Sequence, residues 1–405
     1  MNYNFDQIIE RENTNSEKWN FNQKNFGVED VLPMWVADMD FRAPQPVIEA
    51  LVRRAEHGIY GYSSGTDRYF QSIINWMNKR HHWKIEEDWI TFSPGVVPAL
   101  HWIVKAFTSP GDKVVVQTPV YHPFFRAIKN NDCEIVNNPL SFEHEQYKMN
   151  LANLEQQLDP SVKLFFLCNP HNPVGRVWQE EELIQLGEIC LKNKIIIVAD
   201  EIHSDLIFKG YTHVPLAGLS EELAQSTIVC TSPSKTFNLA GLQISNIIIP
   251  NPELRKAYRK VLTLNNINSP NTFAITAMEA AYGEGEEWLA QLLTYLDGNL
   301  DYLTEFITQR IPKVKLIKPQ GTYLVWLDFR ELGLEPMALK NFMLHKAKVA
   351  LNEGYIFGEG GEGFERINIA CPRSILTQGL ERIENALLKK ENEVNVSDIP
   401  ITGNY

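Results

Sequence analysis

The sequence offers no cysteine pairing. Cys133, Cys168, Cys190, Cys230 and Cys371 are its only cysteines, they are scattered, and no C-x-x-C occurs. Most lie in or beside apolar runs, which marks them as reduced core thiols rather than disulfides or metal ligands. That usage points to a cytoplasmic protein without a metal site. No apolar stretch reaches membrane length. The start, Met1-Asn2-Tyr3-Asn4-Phe5-Asp6-Gln7, lacks the charged and apolar regions of a signal peptide. No membrane partner is expected. Positive charge is also scarce: 38 Lys and Arg stand against 50 Asp and Glu, for a net charge of −12. This excludes the basic face that nucleic acid demands. Internal repeats and low-complexity segments are absent.

What remains is a globular chain of 405 residues, 44% hydrophobic and 22% charged. That length suits one large and one small domain. From residue 90 the pattern alternates strand and helix. Strand-like runs occupy 90–92, 113–117, 134–136, 163–168, 194–199, 227–231 and 244–250, with helical spacers such as 180–192. Near-continuous apolar strands joined by helices predict a mostly parallel seven-stranded sheet with helices on both faces. The last strand follows Lys235 by a short connection, so it is free to run antiparallel. Beyond residue 270 a helix-rich stretch leads to strands near 314–317, 323–328 and 366–370, the makings of a smaller α+β unit. The expected division is a large domain of residues 46–285, a small domain of 1–45 and 286–390, and a polar, loosely ordered tail of 391–405.

In an open parallel sheet, ligands bind outside the carboxyl ends of the strands. Four polar clusters fall there. Ser93-Pro94-Gly95-Val96-Val97 opens a helix whose N–H groups can seat a phosphate. Asn169-Pro170-His171-Asn172-Pro173-Val174-Gly175 supplies an amide, and Asp200-Glu201-Ile202-His203 a carboxylate. Thr231-Ser232-Pro233-Ser234-Lys235 supplies hydroxyls and a lysine. Burying an ammonium costs several kcal/mol unless it is paired; desolvation lowers its pKa and frees the neutral amine for a Schiff base. Each cluster alone has an ordinary explanation: a turn, Asn-Pro turn chemistry, a helix cap or a surface lysine. Their joint occurrence in this order does not.

These residues resemble the fold-type I pyridoxal-phosphate enzymes, the aspartate-aminotransferase superfamily, over most of the chain. Met34-Trp35-Val36-Ala37-Asp38-Met39-Asp40-Phe41, Ser234-Lys235-Thr236-Phe237-Asn238 and Asn368-Ile369-Ala370-Cys371-Pro372-Arg373 are similar to the narrower MalY/PatB group of carbon–sulfur β-lyases. The resemblance implies an aspartate-aminotransferase-like α/β fold, pyridoxal 5'-phosphate as cofactor, and β-elimination from cystathionine or related cysteine thioethers. It implies that Lys235 holds the cofactor and shuttles the Cα proton, and that Asp200 pairs with the pyridinium nitrogen. Asn172 is expected on the ring's phenolic oxygen, His203 beside it, and Tyr121 stacked on the ring. Val96, Val97, Ser232 and Ser234 are the candidates around the phosphate. Tyr62 is expected to reach the phosphate of a neighbouring subunit, hence a homodimer. Arg373 is expected to clamp the substrate carboxylate, near Asn172 and the Ala37 backbone. One departure weakens a plain aminotransferase reading: the arginine usual eight residues after the lysine is Gln243 here. An aminotransferase of the same fold, or a non-catalytic regulatory protein, are the other readings.

Other motifs are judged coincidental. Gly61-Tyr62-Ser63-Ser64-Gly65 matches a hydrolase elbow, but no buried strand precedes it. Gly358 to Gly363 spells G-x-G-x-x-G before a strand rather than a helix, so it reads as a flexible loop near Arg373. His81-His82 reads as a solvated helix end, and Asp38 and Asp40 as a loop contact near the substrate entrance.

Overall fold

The computed structural model describes residues 1–267 and 269–397. The central sheet has seven strands: β1 (Ile90–Ser93), β2 (Lys113–Val116), β3 (Glu134–Asn137), β4 (Val162–Cys168), β5 (Ile196–Asp200), β6 (Thr227–Thr231) and β7 (Ser245–Ile248). Their order is β1-β7-β6-β5-β4-β2-β3. β7 runs antiparallel to both β1 and β6, and the remaining pairings are parallel.

Alternation along the strands divides the apolar side chains between two cores. Phe165 and Leu167 of β4 join Ile197 and Ala199 of β5 on one face. Leu164, Phe166 and Cys168 join Val198 and Ile228 on the other. Each fully buried side chain of this kind contributes about 1.5–3 kcal/mol relative to exposure. Helices cover both faces, among them α1 (Gln45–Glu56), α2 (Asp67–His81), α3 (Val96–Phe107), α4 (Pro123–Lys129), α5 (Glu180–Lys192), α6 (Pro252–Leu264) and α7 (Thr272–Glu284).

The long helix α8 (Glu286–Arg310) leads to a second, antiparallel sheet of β8 (Lys315–Ile317), β9 (Leu324–Asp328), β10 (Asn352–Glu353) and β11 (Phe364–Asn368), in the order β8-β9-β11-β10. Trp326 and Phe364 stack across it with ring planes 4° apart. The amino-terminal segment joins this later part of the chain, because Leu32 and Pro33 pair in parallel with Val349 and Ala350. The final helix, α9 (Arg373–Ser397), runs through residues expected to begin a loose tail; the rest of that tail lies outside the described residues. The Gly358–Gly363 loop is not open either. A Cβ on Gly358 would lie 2.7 Å from the Thr118 side chain, so the loop is packed tightly against the segment that follows β2.

Asn172 owes its place to the turn that follows β4. Gly175 closes that turn with φ +73°, and its carbonyl accepts from Gln320 N at 2.7 Å and Gly321 N at 3.1 Å. A Cβ there would approach Pro319 Cβ to 2.6 Å. Gly175→Ala is therefore expected to destabilise the fold by about 2–3 kcal/mol, from positive-φ strain plus the clash. A lower urea midpoint at unchanged slope is the measurement.

Candidate active site

A pocket of about 180 Å³ opens at the carboxyl ends of β1, β4, β5 and β6. Its walls include Ala37, Val96, Val97, Tyr121, Asn172, Asp200, His203, Ser234 and Lys235. Nine of the side chains singled out in the sequence thus meet in one crevice, although they span residues 37 to 235. Ser232 stands just behind it, donating from Oγ to Ile244 O at 2.6 Å and capping the four-residue turn Pro233–Thr236 that carries the lysine.

Lys235 is partly buried, and its Nζ donates to Ala37 O at 2.7 Å. Tyr323 Oη donates to the same carbonyl at 2.9 Å. Burial, with Arg366 as a positive neighbour, pushes the Lys235 ammonium down to about 8, against the opposing pull of Asp38 and Asp200. Asp200 is buried, and among the described residues its carboxylate accepts a single hydrogen bond, from Ile202 N at 3.3 Å. Burial raises its pKa to about 7. His203 is pushed down to about 3 by burial and by Lys235, so it is neutral; its Nδ1 is buried without a partner. At the opposite wall α3 begins with no side-chain cap, leaving its first N–H groups, at Val96 and Val97, facing the pocket. An underbonded carboxylate, a neutral imidazole, a near-neutral amine and an uncapped helix start are the surroundings a flat, cationic, phosphorylated ring requires.

One expected residue lies elsewhere. Arg373 is not in the crevice: its Nε donates to Asn299 Oδ1 at 2.7 Å and its guanidinium lies 4.9 Å from the Tyr302 ring. As the first residue of α9 it ties that helix to α8. The arginine that adjoins the pocket, through the pocket residue Asn172, is Arg366, in the middle of β11. It donates to Asn172 Oδ1 at 2.8 Å, to Trp35 O at 3.0 Å and to Asn352 Oδ1. Its Nε is buried without a partner, and burial lowers its pKa to about 10. The adjacent charged pair Glu365-Arg366 inside a buried strand was the available signal. Tyr62 is fully exposed on the loop between α1 and α2 and does not touch this chain's own pocket. Gln243 is exposed in a left-handed conformation, beside the pocket residue Ile244.

The Asp38 and Asp40 pair has a structural task. Arg11 bridges both, at 2.7 and 2.6 Å, and the buried Lys18 reaches Asp40 at 2.5 Å. Asn238 completes the hold, donating to Met39 O at 2.9 Å and Phe41 O at 3.0 Å. The loop bearing Ala37 is thereby fixed between the amino-terminal arm and the lysine-bearing turn.

A crevice of this kind defines a class of protein: one that fixes a phosphorylated ring over a sheet edge and keeps an amine ready beside it. The chain belongs to the class I and II aminotransferase family, whose model matches residues 29–383. It is 49% identical to cystathionine β-lyase PatB of Bacillus subtilis over 95% of this chain and 100% of that protein. It is 33% identical to protein MalY of Escherichia coli over 95% and 99% of the two chains. Among solved structures, cystalysin from Treponema denticola, which contains a pyridoxal 5'-phosphate cofactor, superposes with a TM-score of 0.94 at 41% identity, over 96% of this chain and 100% of that one.

The depressed ammonium predicts how Lys235 reacts when no carbonyl compound is bound. Labelling of Lys235 by an amine-directed reagent, followed by peptide mass, should rise through about pH 8 rather than near the ordinary 10.5. Arg366→Gln should move that midpoint upward, because it removes a positive neighbour that disfavours the ammonium.

Proposed function

We propose that this chain is a pyridoxal 5'-phosphate-dependent carbon–sulfur β-lyase that converts L-cystathionine, or a related cysteine thioether, to a thiol, pyruvate and ammonia. The observation that carries the cofactor is Asp200, a buried carboxylate with one hydrogen bond, facing a pocket it shares with a near-neutral lysine. The full-length similarity to the Bacillus lyase supports this chemistry over transamination.

When bound, the cofactor supplies an electron sink conjugated to the substrate's Cα. The protein's part is to bind, orient and move protons. Asp200 keeps positive charge on the ring nitrogen, where its own burial makes a cationic partner favourable. The N–H groups of Val96 and Val97, with the Ser234 hydroxyl and Ser232 behind it, hold the phosphate. Tyr121 covers the ring and His203 lies beside it. Asn172 gives its Oδ1 to Arg366, which leaves its amide N–H to donate to the ring oxygen.

Arg366 receives the substrate's α-carboxylate. Among the described residues none of its hydrogen-bond partners is a carboxylate, so a buried cation awaits an anion. Lys235 would hold the cofactor, and its amine would take the Cα proton. The C–S bond breaks with its electron pair leaving on sulfur. Water then converts the remaining three-carbon fragment to pyruvate and ammonia.

The same reading covers the rest of the molecule. It treats 46–285 as the cofactor-holding unit and 1–45 with 286–390 as the smaller one, supported by the separation of the seven-stranded from the four-stranded sheet. It places the protein in the cytoplasm, in sulfur amino-acid metabolism. It makes the functional unit a homodimer, because the exposed apolar run Ile59, Tyr60 and Tyr62 needs a covering surface. Tyr62 then serves the partner's phosphate. Two inactive homodimers, Lys235→Ala and Tyr62→Ala, should regain partial activity when subunits are exchanged; no regain under proven exchange would rule out a shared site.

Purified wild-type protein should show the visible absorbance of lysine-linked cofactor and release pyruvate and thiol from L-cystathionine, and Lys235→Ala should do neither. Conversion of the cofactor to its amine form without pyruvate would make the protein an aminotransferase. Arg366→Lys should raise KM for cystathionine by about 10–100-fold through loss of bidentate binding. Arg373→Lys should leave KM within about twofold, since it touches no pocket residue.

A further inference from the structure

Beneath the crevice lies a buried polar cluster that the elimination chemistry does not use. Asp205 is 3% exposed, five positions past Asp200 on the same loop. Its carboxylate accepts from Trp76 Nε1 at 3.1 and 3.3 Å, from His81 Nε2 at 2.9 Å and from Thr236 Oγ1 at 2.7 Å. Arg80 stands 3.7 Å from it and also donates to the Asp205 main-chain carbonyl. His81 is thus not a solvated helix end. Its ring meets the edge of His213, whose Nε2 bonds Glu201 at 3.1 Å. Burial alone would push the Asp205 carboxyl up, but the His81 and Thr236 bonds and the Arg80 charge hold it low, so it is ionised.

An ionised carboxylate in a core stabilises less than well-packed apolar side chains of the same volume, so its presence calls for a reason beyond stability. Thr236 immediately follows Lys235. The helix that carries both is four residues long, too short to hold its own geometry. Consecutive residues on a helix point about 100° apart, so Lys235 can face the pocket while Thr236 faces Asp205. The loop that carries Asp205 is itself held rigid: Ser204 N bonds Glu201 O at 3.0 Å and Leu206 N bonds His203 O at 2.9 Å. One short bond therefore fixes the lysine-bearing turn to the loop that carries Asp200 and His203.

We infer that Asp205 is a positioning residue, acting through Thr236 to set where the Lys235 amine stands relative to Asp200, and so to align the two ends of the bound cofactor. The inference rests on the cofactor reading above. It separates proton transfer from substrate binding, because the Arg366 anchor belongs to a different sheet.

The test uses the cofactor-loaded enzyme and its visible band titrated with pH, alongside steady-state kinetics with L-cystathionine. Thr236→Val, which removes the donor and keeps the shape, should shift the band's pH midpoint by about half a unit or more. It should lower kcat about tenfold with KM within about twofold, as misplacement of a reacting group does. Thr236→Ser should restore both. Trp76→Phe, which removes a different donor to the same carboxylate, should shift the midpoint in the same direction. If both Thr236→Val and Trp76→Phe lose only thermal stability, with midpoint and kcat as in wild type, Asp205 is structural and the inference is wrong. A wild-type protein with no visible band overturns the cofactor reading and this inference with it, a result distinct from an unchanged midpoint.

Discussion

A carboxylate buried with one hydrogen bond is the constraint around which the crevice is arranged. Asp200 ends the central β5 strand, flanked in register by Cys168 and Cys230, neither of which can neutralise it. Burial raises the cost of its charge, and that cost falls only when a cation arrives. The surrounding groups answer the same need in other ways. Lys235 sits at the edge of deprotonation, His203 is held neutral, and α3 presents bare N–H groups. Each group is less stable alone than it is against a ligand, so the site is organised for occupancy.

The second dependence is mechanical. Ala37 O receives hydrogen bonds from Lys235 and Tyr323, so the loop around it belongs to the site as much as the lysine does. That loop is secured from three directions: by Arg11 and Lys18 from the amino-terminal arm, by Asn238 from the lysine turn, and by Asn368, which donates to Val36 O and Asp38 O from β11. Residues distant in sequence thereby share one rigid frame. Such shared framing reduces the reorganisation that a reacting group would otherwise require.

Much of this was legible before the fold was known, for a physical reason. Buried parallel strands are continuous apolar runs, and the polar residues that interrupt them at their carboxyl ends stand out. Asp200, Asn172 and Lys235 were found that way, as was the antiparallel freedom of the strand after Lys235. Arg366 was not, because it lies inside a strand, where alternation rather than termination decides which way a side chain faces. Arg373 drew attention by its place in a motif, yet it faces Asn299 and Tyr302. His81 looked solvent-facing because its partner Asp205 lies far along the chain. Contacts of long sequence separation leave no local trace.

The antiparallel strand β7 has a consequence for how the protein comes into being. Among the described residues Ser93 finds its only sheet neighbour in Ser245, so β1 emerges early and waits for nearly the whole sheet to follow. At ordinary translation rates of 5–20 residues per second, that wait lasts roughly ten seconds or more. During it, an apolar strand and the glycine turn behind it have no sheet to join. The helix start at Val96 and the lysine turn therefore come to stand together only after β7 has been made. A ligand that spans both ends of this crevice thus meets a complete seat only in a sheet already closed.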